Sequence, residues 1–80
     1  MARFYLNLQN THLEVSDDEG VDALDPADAR EKAIRGIRDF LGHEITRGIL
    51  DLRGKIDIVD DKGVTVMTVP FAEAVRIIMS

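Results

Sequence analysis

The chain has 80 residues, enough for one domain, and its 45% hydrophobic content is ordinary for a globular fold rather than a disordered one. The absence of cysteine excludes disulfides and thiolate metal sites, and no apolar run approaches the roughly 20 residues that span a bilayer. The net charge of −5 disfavours nucleic acid as a ligand, because phosphate contacts need clustered lysine and arginine.

We therefore expect a single domain over residues 1–80 that acts in the cytoplasm and not in a membrane. The opening MARFYLNLQN alternates and soon turns polar, so it lacks the continuous apolar segment of a signal peptide. A reducing cytoplasm is also consistent with a chain that has no cysteine.

The first predicted element is a half-buried strand over residues 3–9, because apolar and polar side chains alternate there. Its apolar side consists of Phe4, Leu6 and Leu8. A short turn at residues 10–11 leads to a second predicted strand over residues 12–15, in which Leu13 and Val15 are expected to point inward.

The segment SDDEG at residues 16–20 predicts a loop or a bulge, and residues 21–24 predict a short extended segment. A calcium-binding loop needs a glycine at its sixth position and a glutamate at its twelfth. Counted from Asp17, the glycine stands at the fourth position and Asp28 at the twelfth, so the pattern fails. We expect a solvated acidic loop without a metal site.

Asp25 and Pro26 predict the start of a long helix. Aspartate accepts hydrogen bonds from the first turn, and proline lacks an N–H that would have no partner there. Apolar residues then recur at helical spacing: Ala29, Ala33, Ile37, Phe40, Leu41 and Ile45. We place the helix over residues 26–47, with Gly48 as its left-handed cap. The glycines at positions 36 and 42 are interpreted as tolerated, or as places of close packing against the sheet; a close helix–helix contact is the alternative, which two glycines six residues apart do not favour.

The opposite face of this helix carries Lys32, Arg35 and Arg38, which form a candidate binding face for a partner protein. Acidic residues interleave with these three side chains, so the alternative is a solvated helix surface with salt bridges. The sequence leaves both interpretations open.

Residues 49–54 are predicted to connect the helix to a hairpin, with Leu50 and Leu52 pointing inward. Two strands, at residues 55–60 and 64–69, surround the tight turn DDKG, whose glycine is suited to positive φ. The following proline ends the sheet pairing, because it has no N–H to donate. Four apolar residues then share one helical face and predict a C-terminal helix of two or three turns. They are Phe71, Ala74, Val75 and Ile78.

The hairpin carries more apolar side chains than one buried face requires. Ile56 and Ile58 are assigned to the face that receives the long helix, whereas Val59, Met67 and Val69 are assigned to the other face. That second face is covered by the C-terminal helix, by a second copy of the chain or by a different protein. Because an apolar tail on a small domain is typical of an oligomer, we predict a homodimer. The predicted interface residues are Val59, Met67, Val69, Phe71, Val75 and Ile78.

No set of residues predicts catalysis or cofactor binding. Covalent catalysis needs a nucleophile beside a base, and the only serines are Ser16 and the terminal Ser80. His12 and His43 have no partners at zinc-binding spacing and are expected at the surface, and no glycine-rich phosphate loop follows a strand. We therefore expect a protein that is not an enzyme and that holds neither a cofactor nor a metal.

Four segments occur in a recognisable order: ARFYLNL, the acidic DDEGVDALD, the helix PADAREKAIRGIRDFL and the hairpin IDIVDDKGVTVMTVPF. Together they resemble a family of short bacterial proteins, mainly proteobacterial, that is classed as a domain of unknown function. The chain departs from the family pattern at Asn7 and at residues 10–12, where members often have an Asp/His-Asp-Gly turn. A weaker similarity, in the order of elements alone, is to the antitoxin-type domains of HicB proteins. The family resemblance implies no activity and no catalytic residues.

The predicted fold class is α+β: a small antiparallel sheet in the order strand, strand, helix, strand, strand, helix, with the long helix on one face. The leading functional hypothesis is a non-enzymatic protein-interaction or regulatory module that acts as a homodimer. The alternatives are an antitoxin-like regulator that binds a partner protein and, less favoured, a small-ligand sensor or enzyme.

Overall fold

The structure is a computed structural model that describes residues 1–79. Its strands are β1 (Ala2–Gln9), β2 (Glu14–Val15), β3 (Val21–Ala23), β4 (Lys55–Val59) and β5 (Thr65–Pro70). The helix α1 (Pro26–Ile45) joins β3 to β4, and a single 3-10 turn at Phe71–Glu73 follows β5. This arrangement confirms the predicted α+β fold class. None of the helices in the described residues is long and apolar enough to cross a membrane.

The sheet is antiparallel, with the strand order β2-β1-β4-β5. One edge of β1 pairs with β4, while its other edge pairs with β3 near its start and with β2 near its end. The chain therefore needs two short strands to cover the edge that a single long strand would cover. Residues 16–20 bulge out between them.

Two cross-strand rows of apolar side chains form the inner face of the sheet. Leu8, Ile56 and Val69 lie opposite one another, and so do Leu6, Ile58 and Met67. The helix packs against this face through its own apolar side. Buried residues from both layers form the core: Phe4, Ala23, Ala29, Ala33, Ile34, Ile37, Leu41, Ile56, Ile58, Val69, Phe71 and Ala74.

The predicted faces of β5 were wrong. Met67 and Val69 belong to the core face with Ile56 and Ile58, whereas Val64 and Val66 are 54% and 40% exposed. The register explains the reversal, because a bulge near Val59 sets Met67 opposite Ile58. Side chains alternate from there through Val69 to Phe71, the largest fully buried side chain in the described residues.

The start of α1 is the one that the sequence predicts. The side chain of Asp25 accepts a hydrogen bond from the backbone N–H of Asp28 at 2.9 Å, and Pro26 occupies the first turn. The carboxylate of Asp28 reaches back to accept from the N–H of Leu24 at 2.9 Å. The helix ends at Ile45, two residues before the predicted end, and Gly48 takes the expected positive φ in the turn that follows.

The predicted C-terminal helix was wrong. Only Phe71–Glu73 forms a 3-10 turn, and residues 75–79 have no regular structure. The backbone N–H of Phe71 donates to the carbonyl of Gly54 at 2.9 Å, which holds Phe71 as an extension of β5. Only Phe71 and Ala74 are then fully buried in the core, and Val75 packs against it while half-buried. Two anchors within one turn cannot offset the cost of nucleating an isolated short helix.

Two smaller expectations were also wrong. Leu50 is exposed, and of the pair predicted to point inward only Leu52 packs against the core. The second strand is limited to Glu14–Val15, and both Leu13 and Val15 are nearly half exposed. Leu13 and Val15 lie in the groove that the single helix layer leaves open.

Candidate functional site

The acidic loop at residues 16–20 is anchored by one carboxylate. Asp17 accepts hydrogen bonds from the backbone N–H groups of Leu6 at 3.0 Å, Gly20 at 2.9 Å and Glu19 at 3.2 Å. Its own N–H donates to the side-chain oxygen of Asn7 at 2.9 Å. These bonds replace the strand pairing that is interrupted between β2 and β3. The loop is therefore a bulge with a fixed conformation, supported by the positive φ of Gly20.

A groove of about 600 Å³ lies between this loop, the inner face of β1 and the side of α1. It exists because α1 packs over β3, β4 and β5, leaving Leu6 and Leu8 of β1 only partly covered. The lining residues are Leu6, Leu8, Leu13, Val15, Ser16, Asp17, Asp18, Glu19, Gly20, Gly36, Phe40 and Ile56. The floor is thus apolar, and the charge is confined to the acidic loop.

A second surface is the free edge of β5. Among the described residues, β5 pairs with β4 on one side and with no strand on the other. The segment VTVMTVP, residues 64–70, contains no charged residue. An exposed strand edge of this kind presents unpaired backbone N–H and C=O groups to a further strand.

The predicted interface residues do not form one surface. Val69 and Phe71 are fully buried within the chain, and Met67 packs against the core, so none of these three side chains is available on an outer face. The physical reason is the register of β5 described above. Val59 is half-buried, Val75 is half-buried against the core, and Ile78 is 77% exposed beyond the 3-10 turn.

The three basic residues of the predicted binding face differ in the contacts that they make within the chain. Lys32 forms an ion pair with Asp28 at 3.4 Å, and the Nε of Arg38 donates to the carbonyl of Ala74 at 2.7 Å. Arg35 is exposed and forms no ion pair with another described residue. Two of the three residues thus stabilise the helix and the C-terminal segment, and the face as a partner-binding site stays a prediction.

The shifted pKa values belong to structural ion pairs. The hydrogen bond from the N–H of Leu24 holds the pKa of Asp28 below its usual value, and Lys32 acts in the same direction. Hydrogen bonds from Arg53 lower the pKa of Asp51 to about 2, because side chain and backbone of Arg53 both donate to that carboxylate. These groups cap the helix and fix the connection before β4.

Replacing Arg53 by glutamine is expected to raise the pKa of Asp51 towards its usual value of 3.8. In the native chain the folded pKa is depressed, so the pair stabilises the fold above pH 3.8 and this contribution is lost as pH falls towards about 2. A carbon-detected NMR titration of the Asp51 carboxyl measures both values. An unchanged titration curve in Arg53→Gln would contradict the assignment.

Neither histidine forms part of a metal-ligand cluster in the described residues. His12 and His43 are both exposed, as expected. No group of three or more histidine, aspartate or glutamate side chains within residues 1–79 comes together in a geometry that could hold a metal ion.

A comparison with protein-family models finds a match to a family described as "Domain of unknown function (DUF6894)", over residues 3–72. The chain belongs to the DUF6894 family. Searches of curated proteins and of solved structures found no match. The predicted membership of a domain-of-unknown-function family is therefore confirmed, whereas the bacterial origin, the motif pattern and the similarity to HicB antitoxin domains stay predictions.

Sequence reasoning missed both the groove and the role of Asp17 in this DUF6894 chain. The available signal was Gly36, a costly residue in the middle of a helix. A Cβ at Gly36 would find only the Cδ1 of Ile56, at 3.9 Å, so close packing does not require glycine there. Gly36 instead lines open space beside the helix.

Proposed function

We propose that this DUF6894 chain is a non-enzymatic protein-interaction module that acts as a homodimer, with two copies joined through their β5 edges. The observation that carries the proposal is the free, uncharged edge of β5 with Val64 and Val66 exposed beside it. The shifted pKa values support a non-enzymatic role, because each belongs to a surface ion pair or a helix cap.

The two edges of the sheet differ in a way that favours association through β5. The opposite edge consists of strands of two and three residues separated by the bulge that Asp17 anchors. Short strands and bulges are devices that prevent edge-to-edge pairing. β5 has six residues, five of which pair with β4, and its edge has no lysine and a proline only at its last position. Apart from the bulge near Val59, this edge therefore lacks the usual protection, and it is longer than either strand of the opposite edge.

A second copy of the chain is the partner that best fits this edge. Two antiparallel β5 strands are related by a two-fold axis, so a residue i of one copy pairs with a residue j of the other, and j pairs with i, in an isologous interface. The sheet would then continue from one copy into the other, and the exposed side chains of Val64 and Val66 would be covered near the axis. This interface uses the edge of β5 and leaves Met67 and Val69 in the core.

Light scattering behind a sizing column tests the proposal. The unmodified chain is expected to show twice the chain mass of 8.9 kDa, and Val66→Lys is expected to show 8.9 kDa. Lysine on an edge strand opposes pairing because two like charges would meet near the axis. Leu24→Lys is the matched control, since Leu24 is also exposed but lies before α1, and this variant should remain dimeric.

Circular dichroism of each variant distinguishes loss of the dimer from loss of the fold. A single-chain mass for the unmodified protein at its highest soluble concentration would overturn the homodimer. A dimer that survives Val66→Lys would overturn the β5 interface.

A further inference from the structure

The groove on the inner face has a composition that favours a peptide over a small polar molecule. Its floor is made by Leu6, Leu8 and Phe40, each partly buried against the core and partly open to the groove. Small-molecule sites combine a mostly apolar lining with a few polar groups that converge on the ligand. Here the polar groups stand on one side, in the loop that Asp17 anchors.

The layer structure of the fold points to a helix as the occupant. A single helix, α1, covers the β3, β4 and β5 part of the inner face, and the β1–β2 part beside it stays open. A second helix lying next to α1 would complete this layer and cover Leu13 and Val15, which are 45% and 47% exposed. Amphipathic helices bind protein grooves in this manner.

The acidic loop at the rim of the groove indicates which charge that helix should carry. Asp18 and Glu19 are exposed, and neither forms an ion pair within the described residues. No lysine, arginine or histidine among residues 1–79 lines the groove. The loop cannot move these carboxylates far away, because the bonds to Asp17 fix its conformation.

We propose that the groove binds a basic amphipathic helix of a partner protein, with its apolar face on Leu6, Leu8 and Phe40 and its lysine or arginine side chains against Asp18 and Glu19. Gly36 leaves room for the close approach of that helix to α1. This inference rests on the proposed protein-interaction role but does not depend on the homodimer, because the groove and the β5 edge are separate surfaces.

Fluorescence anisotropy with a defined probe tests the inference. The probe is a labelled synthetic helix of leucine, alanine and lysine, with leucines at i, i+3, i+4 and i+7. A second peptide carries glutamate in place of every lysine. The lysine peptide is expected to bind the folded chain at least tenfold more tightly than the glutamate peptide, with an affinity that falls as salt is added. Equal affinities, or no binding of the lysine peptide, would overturn the inference.

Two substitutions locate the binding. Gly36→Leu places a side chain in the groove, so its affinity for the lysine peptide should fall at least tenfold. Leucine has a higher helix propensity than glycine, so α1 and the fold should be retained. Gly42→Leu is its matched control, because a Cβ at Gly42 meets no atom within 4 Å apart from its chain neighbours and the nearby backbone of α1, and it should bind the probe unchanged. Unchanged binding by Gly36→Leu would overturn the groove as the site.

The double variant Asp18→Lys with Glu19→Lys is expected to weaken the lysine peptide about tenfold and to improve binding of the glutamate peptide. Identical affinities before and after this reversal would contradict the acidic rim. The variant Val66→Lys, which is expected to be monomeric, should bind the probe as the unmodified chain does. Failure of the homodimer and failure of the groove are therefore observed separately.

Discussion

A chain in which alanine replaces Gly54 is expected to lose about 3 kcal/mol of its free energy of unfolding, the upper end of the usual cost of overpacking a core. The added Cβ would lie 2.6 Å from the Cζ and 2.7 Å from the Cδ2 of Phe71. That ring cannot withdraw, because it is fully buried and lies against Phe40 with 5.6 Å between ring centroids. The backbone hydrogen bond between Phe71 and Gly54 fixes the two residues further.

Urea unfolding followed by circular dichroism measures this loss. Gly42→Ala is the matched control, since it also adds one methyl group but meets open space within an exposed part of α1. It is expected to stabilise the chain by about 1 kcal/mol through helix propensity alone. Similar stabilities for the two variants would contradict the contact between Gly54 and Phe71.

A double-mutant cycle isolates that contact. Phe71→Leu alone opens space in the core and destabilises the chain. In the presence of Phe71→Leu, however, Gly54→Ala should cost clearly less than it does alone, because the smaller side chain relieves the overlap. Additive effects would show that Gly54 is required for a reason other than the ring.

Replacing Asp17 by alanine is expected to lower the free energy of unfolding by about 2 kcal/mol. Its carboxylate accepts from the N–H groups of Leu6, Glu19 and Gly20, and hydrogen bonds to charged groups contribute roughly 1.5–3 kcal/mol. The N–H of Glu19 is exposed enough to bond water instead, which keeps the total well below the sum of three bonds.

Asp18→Ala is the control for this prediction, because Asp18 carries the same charge, is exposed and should change stability by less than about 0.5 kcal/mol. Hydrogen exchange provides a local measurement, since the amide of Leu6 should lose protection in Asp17→Ala and keep it in Asp18→Ala. Equal behaviour of the two variants would mean that Asp17 does not anchor the loop.

The sequence predicts the elements of this fold better than it predicts their faces. The helix start at Asp25 and Pro26 and the turn at Gly63 follow from local rules that depend on one or two residues. The faces of β5 depend on its register with β4, and the bulge at Val59 shifts that register without a local signal. The alternation that puts Met67, Val69 and Phe71 on one side of β5 was a better indication of its buried face than a regular register with β4.

The surfaces proposed to bind partners are harder to predict, because they depend on which residues the rest of the fold leaves uncovered. Leu13 and Val15 have the pattern of core side chains, and only the position of α1 leaves them in an open groove. Asp17 looks like its acidic neighbours in the sequence, and its three backbone donors come from the fold. A local pattern contains neither kind of information.

The order of strands also affects how the chain can fold as it is synthesised. β1 leaves the ribosome before the other strands, yet its long partner β4 is made only after the whole of α1, and the core residues Phe71 and Ala74 come later still. Until then the nascent chain can form only the two- and three-residue pairings of β2 and β3. Folding is therefore expected as one late event, and the apolar side of α1 stays accessible to chaperones until β4 and β5 have been made.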